Sequence, residues 1–505
     1  MKLFGLNRLA GLMLAATIAG APIALPAFAQ DAPAPAAVEA TVEAPADVTA
    51  PAPAATEAAA PVEEAAPATP DKGDTTWMLV STILVLLMIV PGLALFYGGL
   101  VRQKNMLSVL MQVTTVAAIG MIAWLFWGYS LAFTDGGGLN KFVGGLRKAG
   151  LAGVTVGSNV ETFSNGVVIP EMVFIAFQMT FAAITAALVI GGIVERIKFG
   201  AVVLFAILWP LLSYYPMAHM VWWWAGATSG FGMSADEIVG GAGLLWGWGA
   251  LDFAGGTVVH INAGIAALVG ALMLGKRTGY GKEPMPPHSL TLTMAGAGML
   301  WVGWFGFNAG SNLEANGYAA LAMINTFVAT AAAGLSWALT EKLLRGKASG
   351  LGVASGLVAG LVAVTPAAGF AGPVGAVVLG LVVSPICVLF CSYVKNALKY
   401  DDSLDAFGIH AVGGIVGAIA TGILVNPALG GAGLVDFTTG QAATYDAGVQ
   451  ILAQVKAVGV AVVWSAVASA IVFGLIKVIF GLRVNPETEE EGLDIAAHGE
   501  RAYHA

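Results

Sequence analysis

From Thr75 onward the chain alternates long apolar runs with short polar connections, and this period constrains the fold more than any single motif. A helix needs about 20 apolar residues to cross the roughly 30 Å of bilayer hydrocarbon. Backbone groups left unpaired there are too costly, so each run reads as a helix. Eleven are expected, at 76–101, 105–133, 168–195, 199–220, 253–275, 289–311, 318–340, 349–366, 371–394, 406–426 and 450–480. Hydrophobic residues make up 58% of the chain and charged residues 10%, a balance that excludes a soluble globule. The expected fold class is an all-α integral membrane protein.

Upstream of the spans, Lys2 and Arg8 lead into the apolar Leu9 to Ala21, and Ala27-Phe28-Ala29 follows. This is the pattern of a secretory signal peptide over 1–29. Residues 31–70 contain only Ala, Pro, Val, Thr, Glu and Asp. Such a segment buries almost nothing, so 30–74 reads as a disordered, acidic periplasmic linker. The membrane domain is expected over 75–480, and 481–505 as a solvated, acidic cytoplasmic tail.

Charge sets the orientation. The connections 102–104, 196–198, 276–288, 341–347 and 395–399 hold 2, 2, 3, 3 and 2 Lys or Arg. Connections on the opposite side hold only Lys141, Arg147 and Lys148. Basic residues mark the cytoplasmic side. The N-terminus is therefore expected outside and the tail in the cytoplasm. No basic patch suggests nucleic acid, so the expected surroundings are lipid. Cys387 and Cys391, four apart in an apolar run, read as packing thiols.

Five spans followed by five more would make two halves that run oppositely through the membrane, with the eleventh appended. His260-Ile-Asn-Ala-Gly264-Ile265 in the fifth span is echoed by His410-Ala-Val-Gly-Gly414-Ile415 in the tenth, with Asp252 and Asp405 ahead of them. Inverted repeats of this kind hold a site where the halves meet. Ionisable side chains inside a membrane are functional candidates. Burial disfavours the imidazolium, so two neutral rings are expected to hydrogen-bond and to pass a proton between them. Phe177 and Phe181 share one helix face on the third span, as do Phe307 and Ser311 on the sixth. Asp252 stands where a helix cap belongs, which favours structural or electrostatic support over direct cation contact.

The runs Ala94-Leu-Phe-Tyr-Gly-Gly-Leu-Val-Arg102, Asp252 to Asn262, Trp304-Phe-Gly-Phe307-Asn-Ala-Gly-Ser311 and Asp405-Ala-Phe-Gly-Ile-His410 together resemble the ammonium transporter (Amt/Rh) family. The tail Gly492-Leu-Asp-Ile-Ala-Ala-His498-Gly-Glu500 is similar to that of its bacterial members. The resemblance implies a homotrimer in which each subunit conducts ammonium or ammonia, with methylammonium a further substrate. It implies an outer recruitment site of Phe177, Trp222 and Ser311, a gate of Phe181 and Phe307, and twin pore histidines at His260 and His410. It also implies inhibition by a trimeric PII signal protein at the cytoplasmic face. An ammonium sensor on the same scaffold is the alternative, although about 25 residues of tail leave little room for a signalling domain. Two membrane histidines could also ligate a haem iron. No nucleophile arrangement or metal-ligand spacing stands out, so an enzyme, a cofactor and a metal are not expected.

Overall fold

The computed structural model describes residues 68–503, and the expected signal peptide and nearly all of the linker lie outside the described residues. Among the described residues, eleven helices are long and apolar enough to span a membrane. We number them α1 (Lys72–Leu100), α2 (Gln103–Phe133), α3 (Glu171–Ile193), α4 (Phe199–Trp222), α5 (Gly256–Leu274), α6 (Leu290–Gly310), α7 (Gly317–Arg345), α8 (Gly350–Ala367), α9 (Pro373–Leu398), α10 (Phe407–Leu424) and α11 (Ala447–Ile479). Each end falls within five residues of its expected position. The end bearing the connection between α2 and α3 is called outer here, and the end bearing the C-terminal tail inner.

Helix starts coincide with side chains that can accept from free N–H groups. Asp71 caps α1, Ser289 caps α6, Asn316 caps α7, Ser349 caps α8 and Asp446 caps α11. With Asp71 as its cap the first helix begins at Lys72, four residues before the expected 76. α7 runs furthest past expectation. Its polar end stays helical through the Arg345–Glu341 pair at 3.4 Å and stops where Gly346 turns to a φ of 85°.

The two halves are built alike. α1 packs on α6, the first helices of each half, and α5 packs on α10, the last. α11 lies across α4, α5 and α10. It also fixes the segment entering α5, because Gln454 accepts from Leu251 N–H at 2.6 Å and donates to Leu251 O at 2.8 Å. Two short antiparallel hairpins, Asn159–Glu161 with Val168–Pro170 and Leu434–Asp436 with Gln441–Ala443, stand at the outer end.

The tail departs from the expected solvated segment. Two short helices, Pro486–Glu491 and Leu493–His498, fold onto the inner end and bury Glu489, Leu493 and Asp494. Asp494 accepts from Leu107 and Ser108 N–H at 3.1 and 2.8 Å. The free N–H groups opening α2 need an acceptor, and an anion is favoured there. Glu489 accepts from Thr278 N–H at 2.6 Å and pairs with Arg483 at 2.7 Å.

Candidate transport pore

The candidate site begins with two helices that start within the bundle. His260 is only four residues into α5, about 6 Å of rise, and His410 only three into α10. α5 is entered from the outer side and α10 from the inner, so both helix starts lie near mid-depth. Each start carries a carboxylate cap. Asp252 accepts from Gly255 (2.8 Å), Gly256 (2.5 Å), Thr257 (2.8 Å) and Val258 (3.3 Å) N–H, and from the Thr257 hydroxyl. Gly255 makes this turn possible: its φ is 114°, and a Cβ there would lie 2.6 Å from Val259.

At the other start the cap is Asp402, accepting from Ala406 N–H at 3.1 Å and Phe407 N–H at 2.8 Å. This corrects the expected pairing of Asp252 with Asp405. Both caps sit eight residues before their histidine, whereas Asp405 turns away to Lys395 at 2.7 Å.

The rings of His260 and His410 meet, with Nδ1 atoms 3.3 Å apart and centroids separated by 5.4 Å at 21°. One ring donates its Nδ1–H to the bare Nδ1 of the other. Direct contact leaves no space for an iron between them. The glycine four residues after each histidine explains the close approach. A Cβ on Gly264 would lie 2.3 Å from Ala411 N, and one on Gly414 would lie 3.1 Å from Gly256 O and 3.2 Å from His260 Cβ. Beside the pair is a narrow chamber of about 10 Å³, walled by Leu188, Val259, Leu300, Trp304 and Phe307 with the two rings. Nε2 of His260 is buried with no hydrogen-bond partner among the described residues.

Trp304 opens the Trp304–Ser311 run, and the sequence alone assigns it no role. Its ring stacks on His260 at 5.3 Å and is held by Nε1–H donation to Thr365 Oγ1 at 2.8 Å. The signal was its place three residues before Phe307, one helical turn away.

Above the chamber the aromatic rings form a file. Phe307 lies 6.0 Å from His260, Phe181 stacks on Phe307 at 4.1 Å and 15°, and Trp222 meets Phe181 edge-on at 6.1 Å. Trp222 donates its Nε1–H to Asp252 O at 2.9 Å. The file opens into an outer cavity of about 560 Å³ whose walls include Gln178, Trp222, Asp252 and Ser311. Ser311 donates to Phe307 O at 2.7 Å, which leaves its oxygen as an acceptor. Phe177 sits one turn from Phe181 on α3. It is fully buried, lines neither space, and packs behind Phe181 at 4.8 Å. Two carboxylates in the cavity wall are already taken: Glu314 accepts from Ser164 and Asn316, and Glu161 from Thr228 and Ser229.

Eleven helices long and apolar enough to cross a membrane, enclosing a buried apolar chamber beside paired imidazoles, define a multi-pass membrane protein. Residues 76–503 match the family model described as Ammonium Transporter Family, and the chain belongs to that family. The ammonium transporter of Aquifex aeolicus is 44% identical over 87% of this chain and 95% of its own length. That of Bacillus subtilis is 41% identical, covering 85% and 98%. Among solved structures, Saccharomyces cerevisiae Mep2 is similar with a TM-score of 0.71 and 33% identity over 83% of this chain and 88% of Mep2. A structure titled Sensor Amt Protein is similar at 0.72 with 25% identity, covering 84% and 98%.

Proposed function

We propose that the pore takes ammonium from the outer cavity, removes its proton, and conducts ammonia past His260 and His410 while the two rings relay the proton. The continuous file from Trp222 through Phe181 and Phe307 to the touching imidazoles carries this reading. A bare cation in an apolar chamber costs many kcal/mol. Trp222 in the wall of the outer cavity offers a ring worth about 2 kcal/mol or more to a desolvated cation, and the Ser311 oxygen offers an N–H acceptor. Phe177 then supports Phe181, and the Phe181–Phe307 stack is the gate. Below it only a neutral species is accommodated, since the chamber walls are almost wholly apolar and give a bare cation nothing in place of its water. Asp252 offsets the positive N-terminal end of α5 and orients its first turn. Potassium has no proton to give up and no hydrogen bond to donate, so it is rejected.

We assign the outer end to the periplasm and the tail to the cytoplasm on the distribution of basic connections. Residues 1–29 then act as a signal peptide, and the working unit is a homotrimer in the inner membrane, inhibited at its cytoplasmic face by a PII protein. Transport is preferred over sensing because the 44% and 41% identical relatives are named transporters. The test is current from purified protein in proteoliposomes on a solid-supported membrane. An ammonium jump evokes current, a potassium jump does not, and replacing both His260 and His410 by Asn abolishes it. Undiminished current in that variant rejects the relay.

A further inference from the structure

Of the two carboxylates that precede the pore histidines, only Asp252 belongs to the site as the sequence outlines it. Asp402 is 1% exposed and holds the first N–H groups of α10, the turn from which the His410 ring projects. A helix start carries about half a positive charge, felt mainly within the first turn. His410 has to accept a proton within that turn, so an anionic cap there matters to its charge as well as its placement.

We propose that Asp402 is a positioning residue for His410: as a carboxylate it fixes the first turn of α10 and offsets its positive end, and the pore conducts only while it is ionised. This rests on the histidine-relay reading above. The groups around it are defined on every side. Lys395 of α9 donates to Asp402 O at 2.5 Å and to Asp405. In the same loop Asp401 is taken by Arg277, with its carbonyl accepting from Arg196, and Tyr400 lies beside it. Cys391 of α9 and Tyr97 of α1 complete the titratable neighbours. Burial pushes the Asp402 carboxyl up to about 6; Lys395 opposes this, Asp405 adds to it, and the N–H groups of Phe407 and Ala406 oppose it. Its charge is therefore lost as the pH on the inner side falls through that value.

The experiment uses the full chain in proteoliposomes, with outer pH fixed and tail-side pH stepped from about 7.5 to about 5, a range spanning the shifted carboxyl. The wild-type ammonium current falls with a midpoint near 6. Asp402→Asn gives a current lower by on the order of tenfold or more, without that inflection, since small misplacements at a reacting group cost this much. Lys395→Met, which removes the cation opposing the upward shift, moves the midpoint higher. A D402N current that matches the wild type in size and pH profile overturns the proposal. If D402N does not fold, an unmoved midpoint in K395M overturns it instead. Absence of any ammonium-evoked current in the wild type overturns the transport reading, a separate failure.

Discussion

His260 and His410 are 150 residues apart in the chain, yet their Nδ1 atoms lie within 3.3 Å because two oppositely directed helices cross through glycines. Groups in contact do not contribute independently; such pairs show coupling of about 0.5–3 kcal/mol. His260→Asn and His410→Asn are each expected to remove most of the ammonium current, and the double variant to be little worse than either. Currents measured across all four combinations decide this. Losses that simply multiply would mean that the rings act separately.

The Phe181–Phe307 stack, at 4.1 Å, is the narrowest aromatic contact in the file. Phe307→Ala removes one wall of both the proposed gate and the chamber. Large-to-small changes at buried phenylalanines cost about 3–5 kcal/mol of stability, so a lower Tm is expected. The functional expectation is a potassium current that the wild type lacks. A folded variant that remains tight to potassium would take the gate away from this pair.

The spans could be read from the sequence because the bilayer imposes their length, whatever the tertiary packing. Their ends were less legible, most of all at α7, where the charged stretch Glu341–Arg345 looks like a connection but continues the helix to Gly346. The histidine pair was legible because glycines at the same offset mark where two backbones must touch. Asp405 misled because it stands nearer His410 in a motif resembling that of the first half, while capping depends on backbone geometry that spacing alone does not reveal. Trp304 opens a motif visible in the sequence, but its stacking on His260 depends on packing that the motif does not reveal. Phe177 and Phe181 share a helix face, and only packing decides which of them reaches Trp222. The docking of Asp494 on α2 joins residues nearly 390 positions apart, and no local pattern announces it.

Trp222 and Ser311 face the outer cavity, where a cation would still be partly hydrated. Removing an aromatic face worth about 2 kcal/mol weakens binding by on the order of thirtyfold. Trp222→Leu is therefore expected to raise the ammonium concentration needed for half-maximal current by about that factor, with less change in the maximal current. Ser311→Ala should act in the same direction more weakly, through a single lost acceptor of about 1 kcal/mol. A fall in maximal current with unchanged half-saturation would place these residues elsewhere in the cycle.

At the inner end, Glu195 joins three connections: it accepts from Arg102 N–H and Nε at 2.9 and 3.0 Å, from Asn105 at 2.9 Å, and from Arg277 at 2.5 Å. Burial alone would raise its carboxyl, but Arg277 and then Arg102 outweigh it and hold the group at about 2. A depressed folded-state value stabilises the fold above the ordinary carboxyl range and loses that contribution as pH falls through the range down to about 2. The difference from the ordinary value corresponds to about 3 kcal/mol. Wild-type Tm in detergent should thus hold steady from neutral pH to about 5 and fall at lower pH, with Glu195 supplying part of the fall. Glu195→Gln leaves Arg277 and Arg102 short of a buried counter-charge, a loss of about 3–5 kcal/mol for such pairs. Its Tm should be lower at neutral pH and decline less steeply in acid. Melting curves of the two proteins that coincide across this range would show that the clamp does not hold the inner end together.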